Sequence, residues 1–355
     1  HAAGSVGGGW PFFVLLRTAL IRVTQYPPPP CRGRVVPDTR LDRRCGDVTG
    51  VAIGQGLPGS GYNPRTEYKA RSMPPDPTDH LPATSPLIGR DDPPPFVVLH
   101  EQGASPALVV CDHASRAFPK AMRRLGLPLL QTWEHIAWDI AAGELARGNS
   151  SALDAPAVLA GYSRLIVDCN RRPDDPEAFR KVSDGWTIPG NQDLGEFERR
   201  VRLGCFFDPY HEAIAAMLGG FRSRGVVPLL VSVHTFTPKM AGDAERPWHV
   251  GVLWDKDEES ARRMIAGLRA IDGLVVGDNQ PYSGKHPSDY TIDHHAETAG
   301  LPHLCLEVRQ ALLEPPPGVE RWVRILSRLI REIVEDEDLR RLRTSESTWL
   351  LANHR

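Results

Sequence analysis

The sequence predicts an α/β protein in which a mixed, mostly parallel sheet is flanked by helices. Three observations carry this expectation. From Phe96 onward, short apolar runs alternate with stretches of helical period, the pattern of parallel strands joined by crossover helices. The strongest runs, such as Leu229-Leu-Val-Ser-Val-His234, are nearly continuous hydrophobics of strand length, as strands covered on both faces require. Apolar residues make up 41% and charged residues 24% of the chain, a balance that suits one large globular domain. No internal repeat interrupts the series.

The elements are read in order. Ala107–Cys111 is a buried strand. Thr132–Arg147 reads as a helix with Ile136, Ile140 and Leu145 on its apolar side. Ala157–Leu159 and Leu165–Val167 read as strands. Glu196–Phe221 reads as a long helix with a break at Pro209, because proline lacks the amide proton a helix interior needs. Val226–Val233, His249–Trp254 and Leu274–Val276 are further strands. Glu258–Ile271 is a helix stopped by Asp272-Gly273. Leu304–Val308 is the last central strand, and Val319 to Glu335 the last helix.

The first 95 residues differ in character. They hold 16 of the 33 prolines, including Pro27–Pro30 and Pro93–Pro95, and show little apolar periodicity. Such a segment buries too little surface to offset its chain entropy. Residues 1–95 are therefore expected to be a disordered or non-native extension, 96–345 a single catalytic domain and 346–355 a flexible tail. The chain opens on His1, and Met73 is the expected natural start.

Composition also narrows the function. A net charge of −2 gives no electrostatic case for nucleic acid or an anionic membrane. No apolar run reaches membrane-spanning length. The six cysteines form no CxxC pair, and three lie in or beside strand-like runs, which favours a reducing compartment such as the cytoplasm. Walker, Rossmann and GxSxG signatures are absent from the sequence. Nothing in it defines an oligomeric state.

Chemistry gathers at strand ends, where open α/β sheets bind ligands. His113 follows the first core strand in Cys111-Asp-His-Ala-Ser115, and His234 ends the strongest one. Either alone reads most simply as a hydrogen-bonded histidine at a strand end. Together, with small polar neighbours, they suggest metal ligands. Asp139 is four residues after His135, on one face if the segment is helical. Its ordinary reading is a surface ion pair, and its functional reading a third ligand, since zinc accepts two histidines and a carboxylate while keeping a position open. Glu307 sits inside the apolar run Leu304-Cys-Leu-Glu-Val308. An acid there is costly to bury unless it is paired or functional, and beside a metal it would exchange protons with water. Asn170-Arg171 follows Leu165–Cys169, and a guanidinium fork there would bind carboxylate from the same cleft.

Several separated segments carry a resemblance. Cys111–Ser115, His135-Ile-Ala-Trp-Asp-Ile140, Tyr162–Arg171, Asp208-Pro-Tyr-His211, Asp278-Asn-Gln-Pro-Tyr-Ser283 and Gly300–Gln310 resemble, in order, the N-formylglutamate amidohydrolase family over about residues 105–335. The resemblance implies a three-layer, zinc carboxypeptidase-like fold and one zinc ion, with other divalent metals as alternatives. It implies hydrolysis of N-formyl-L-glutamate to formate and L-glutamate, a step of histidine catabolism. His113 and His234 would be the zinc histidines and Glu307 the general acid/base. Asn170 and Arg171 would hold substrate carboxylate, with Tyr282, His295 and Arg309 as further substrate contacts. One departure matters. Zinc carboxypeptidases take two ligands from His-x-x-Glu, and Arg116 stands in the Glu place here. Asp139 is expected to supply the carboxylate instead.

The expected partner is a small acidic N-acyl amino acid. Two alternatives stand beside this reading. One is another N-acyl amino acid deacylase or a carboxypeptidase on the same zinc site. The other is a relative that binds a small ligand without catalysis.

Overall fold

The apolar runs assemble into a sheet whose central strands begin level with one another. The computed structural model describes residues 87–286, 289–314 and 317–343. Its strands are β1 (Phe96–Leu99), β2 (Ala107–Cys111), β3 (Ala157–Ala160), a separate hairpin of β4 (Val182–Ser183) and β5 (Trp186–Thr187), β6 (Leu229–Phe236), β7 (Val250–Leu253), β8 (Val276–Asp278) and β9 (His303–Arg309). The main sheet runs β1-β3-β2-β6-β9-β7-β8. Its pairs are parallel except β1 with β3 and β7 with β9. This is the mixed, mostly parallel sheet that the sequence predicts.

Proline sets the starting line. Pro106, Pro156, Pro228 and Pro302 directly precede β2, β3, β6 and β9, the place where a missing amide proton costs a ladder nothing. Their carbonyls still accept: Leu229 N donates to Pro106 O at 3.0 Å and Leu230 N to Pro302 O at 3.0 Å. This shifts β6 from the expected Val226–Val233 to Leu229–Phe236, so the strand carries His234 within its ladder.

Helices α1 (Ala142–Leu153), α2 (Glu196–Arg202), α3 (Asp208–Ser223), α4 (Glu258–Arg269), α5 (Tyr290–Ile292) and α6 (Pro317–Glu335) surround the sheet. The two-residue period of the strands divides the core. Val109, Val231, Val233, Leu304 and Leu306 pack against α1, α4 and α6 on one face. Leu108, Val110, Leu230 and Cys305 meet Tyr210, Ile214 and Phe221 of α3 on the other. Trp322 of α6 is fully buried, and Trp322→Ala should cost about 3–5 kcal/mol. A third cluster, with Leu165, Ile166, Phe179 and Phe206, lies under loops.

Three expectations are corrected. Thr132–Arg147 is not one helix: a 3-10 turn covers Leu129–Trp133, a loop follows, and α1 starts only at Ala142 after Ala141 at φ 65°. Asp139 therefore lies on a loop, and His135 pairs with Asp184, with Nε2 3.3 Å from Oδ2. Leu165–Val167 is buried but forms turns, with Ile166 N bonded to Ser163 O. Apolar content reports burial there, not extension. The break expected at Pro209 is a wide π turn over Leu203–Phe207 between α2 and α3. Leu87 and Ile88 pack against the third cluster, Gly161 N donates to Pro95 O at 2.8 Å, and Tyr162 Oη bonds Pro93 O. Residues 1–86 and the expected tail 346–355 lie outside the described residues. No helix among the described residues is long and apolar enough to cross a membrane.

Candidate metal centre and active site

The carboxyl ends of β2, β6 and β9 bring the site together. His234 and Glu307 are Cα partners across the parallel β6–β9 ladder, so their side chains share a face. His113 follows β2 by two residues. The loop bearing Asp139 is clamped between these ends: Asp139 N donates to His113 O at 3.1 Å, and Thr235 Oγ1 to Ile140 O at 2.8 Å. Gly143 permits this approach, because a Cβ there would lie 2.7 Å from Ala114 O.

Each histidine ring has a carboxylate close to both nitrogens. His113 Nε2 lies 2.7 Å from Asp168 Oδ1, and its Nδ1 3.3 Å from Asp139 Oδ2. His234 Nε2 lies 3.1 Å from Asp112 Oδ2, an ion-pair distance without hydrogen-bond alignment. Its Nδ1 lies 2.9 Å from the same Asp139 Oδ2. The outer carboxylates favour a proton on each Nε2 and leave each Nδ1 lone pair facing inward. All three inner donors are buried and within 4.8 Å of one another. This donor set fits a divalent cation of the zinc type.

Further contacts fix the outer carboxylates. Arg164 donates to Asp168 Oδ2 at 2.6 Å and to Asp139 Oδ1 at 3.2 Å. Thr291 Oγ1 donates to Asp112 Oδ1 at 2.6 Å. Burial would raise the carboxyls of Asp139 and Asp168. His113 and His234 hold Asp139 well below the usual range, and the Arg164 guanidinium, followed by His113, does the same for Asp168. Burial opposes charging His113 and His234, yet the carboxylates raise the proton affinity of both. A cation would displace protons from their Nδ1 atoms.

Glu307 differs from the other acids. Burial pushes its carboxyl up to about 7, and the charge on Asp139 adds to this. Its Oε2 has no hydrogen-bond partner among the described residues. A carboxyl of this kind gives and takes protons near neutral pH, and an adjacent cation would lower it. Gly251 of β7 lies opposite it in register.

The site opens into a cavity of about 330 Å³. His113, Asp139, His234, Glu307, Asn170, Arg171 and Tyr282 all line it. Asn170 also accepts from Thr291 N through Oδ1 at 3.0 Å, and Tyr282 Oη accepts from Arg246 at 2.9 Å. Two expected substrate contacts do not line it. His295 is buried against His211, its Nε2 3.0 Å from His211 Nδ1. Arg309 donates to Arg246 O at 2.8 Å and pairs with Glu245. Sequence reasoning missed Asp112, Asp168, Arg164 and Arg180. Asp168 carried the same signal as Glu307, an acid inside an apolar run; the two arginines carried none.

Comparison with known proteins agrees with this geometry. The family model for N-formylglutamate amidohydrolase matches residues 105–314. A gene product of Agrobacterium tumefaciens of known crystal structure is 30% identical, with 71% of this chain and 99% of that one covered and a TM-score of 0.68. The N-formylglutamate amidohydrolase of Ralstonia eutropha is 19% identical, with 68% and 97% covered and a TM-score of 0.52; at that identity the likeness is one of fold. No curated protein matches the chain. With more than half its length matched, and with the segments that shape the cavity inside the match, the chain belongs to the N-formylglutamate amidohydrolase family.

Proposed function

We propose that this chain is a metal-dependent amidohydrolase for N-acyl acidic amino acids, with N-formyl-L-glutamate as substrate and formate and L-glutamate as products. The observation that carries the reading is the convergence of His113 Nδ1, His234 Nδ1 and Asp139 Oδ2 beside a proton-poised Glu307 in an arginine-lined cavity. When bound by those three residues, a zinc ion would polarise the amide carbonyl and lower the pKa of a water.

The remaining roles belong to the chain. Glu307 takes the proton from water as its oxygen bonds to the formyl carbon, and returns it to the nitrogen as the C–N bond breaks. Arg164 lines the cavity beside Asp139 and would stabilise the developing oxyanion. Arg171, beside Asn170, would hold a substrate carboxylate and fix the scissile bond. Cys111, Cys169 and Cys305 are buried thiols outside any disulfide, which supports action in the reducing cytoplasm. Residues 1–86 take no part in this reading.

The test joins metal analysis to a panel of N-formyl, N-acetyl and peptide substrates. N-formyl-L-glutamate should be the best of them, with turnover lost to a chelator and restored by zinc. Glu307→Gln should keep the metal while turnover falls by about 10²–10⁴-fold. Wild-type turnover in that variant, or in metal-free protein, would overturn the mechanism.

A further inference from the structure

Three arginines line the cavity, Arg164, Arg171 and Arg180, and they are not equivalent. Arg164 pairs with Asp139 and Asp168 beside the candidate metal ligands, where the reacting amide would lie. Arg171 adjoins Asn170 at the end of the Asp168 turn. Arg180 comes from a separate segment, just after the 3-10 turn Pro176–Phe179.

That segment is held in place. Asp168 N donates to Ala178 O at 2.8 Å, tying it to the turn that carries Arg171. Asn191 Nδ2 donates to Arg180 O at 2.8 Å and to Leu165 O at 2.9 Å. Arg202, with its side chain 1% exposed, donates to Asn191 Oδ1 at 2.7 Å and to Ile166 O at 3.2 Å. A fully buried arginine thus orients Asn191, the residue that holds the backbone at Arg180.

The Arg180 guanidinium is poorly matched within the protein. Its side chain is 23% exposed, and its Nε lies 3.1 Å from Oε2 of the largely exposed Glu177. That contact lacks hydrogen-bond alignment, and the buried Nε has no hydrogen-bond partner among the described residues. An ion pair to an exposed glutamate contributes little. Burial first, and then the charge of Arg164, lowers the proton affinity of Arg180, and the charges of Asp168 and Glu177 offset this only in part. An anion in the cavity would relieve this strain.

We propose that Arg180 binds the second carboxylate of the substrate and makes the site selective for N-acylated dicarboxylic amino acids over their neutral isosteres. The proposal rests on the function proposed above for its substrate class. Arg171 and Arg180, on two segments joined through the Asp168–Ala178 hydrogen bond, form two anchors for two carboxylates. A ligand with one carboxylate leaves a half-buried guanidinium unmatched, and such a loss discriminates strongly.

The experiment compares wild-type protein, Arg180→Gln and Arg180→Lys, each full-length and zinc-loaded. Calorimetry measures affinity for L-glutamate and L-glutamine, and kinetics measures kcat/KM for their N-formyl derivatives. Wild type should prefer the dicarboxylate by about 100-fold or more in kcat/KM, and Arg180→Gln should bring the preference within about threefold, with Arg180→Lys between. The change should fall mainly on KM. No preference in wild type, or a preference kept in Arg180→Gln, overturns the proposal. If Arg180→Gln erases a binding preference while no formyl substrate is cleaved, the carboxylate anchor stands and the amidohydrolase reading fails. If N-formyl-L-glutamate is cleaved and Arg180→Gln stays selective, the reverse holds.

Discussion

Two buried histidine pairs in this molecule have almost the same spacing and opposite chemistry. The rings of His113 and His234 are 5.0 Å apart and those of His211 and His295 5.2 Å. The first pair stands edge to face, with both Nδ1 atoms aimed at one carboxylate. The second is stacked, with one ring nitrogen bonded directly to the other. Three aspartates raise the proton affinity of the first pair. Burial pushes the second pair down, to about 4 for His211 and about 3 for His295, where a proton already taken up by His211 would repel a second. Ring distance therefore does not identify a metal site. The atoms facing the gap do.

The largest expected effect sets one pair against the other. His234→Ala should abolish metal retention, and His211→Gln should leave one ion per chain, as read by elemental analysis. Loss of metal from His211→Gln would erase the distinction.

Acid stability sharpens the contrast. His211 donates through Nε2 to Cys169 O, so its Nδ1 accepts from His295 and both rings are neutral. Their folded pKa values lie below the unfolded value near 6.5. The unfolded chain then binds more protons, and the stability this pair contributes, full above pH ~6.5, is lost as pH falls through 4 and 3. Relative to a His211→Gln/His295→Gln variant, metal-loaded wild type should lose on the order of a few kcal/mol between pH 7 and 5 in urea melts. Parallel pH curves for the two proteins would refute the assignment.

A smaller effect tests the outer carboxylates. Asp168→Asn should weaken metal affinity by about 10–100-fold without changing stoichiometry at saturation. Competition with a chromogenic chelator measures it, and unchanged affinity would leave Asp168 without a role in orienting His113.

The sequence made part of this site legible. His113, His234 and Glu307 follow from apolar runs ending in polar residues, because a strand end in an α/β sheet has a known place. Asp139 was reached by helical spacing from His135, and that spacing does not exist: the residue lies on a loop held by the ends of β2 and β6. Its donor type was readable and its placement on a loop was not. Arg180 and Arg202 look like any arginine in a polar stretch, and only tertiary burial separates them. His295 and Arg309 sit in family-like segments near the site, yet their donors are used by His211, Glu245 and the backbone at Arg246. Adjacency in sequence to a site residue did not place a side chain in the cavity.

The hydrogen bond from Asp139 N to His113 O makes two of the three candidate ligands one rigid unit. Gly143 locks α1 beneath that unit by backbone contact with Ala114. The chain between them also packs Leu125, Leu127 and Ile136 into the third cluster, while Leu129 and Leu130 stay exposed. Natural relatives should therefore tolerate insertions and deletions around Leu129 and Leu130, while the step from Asp139 to Gly143 stays fixed in length. An alignment that anchors on Asp-Ile-Ala-Ala-Gly, and lets its distance from the histidine float, would recover distant members that a fixed-spacing motif discards.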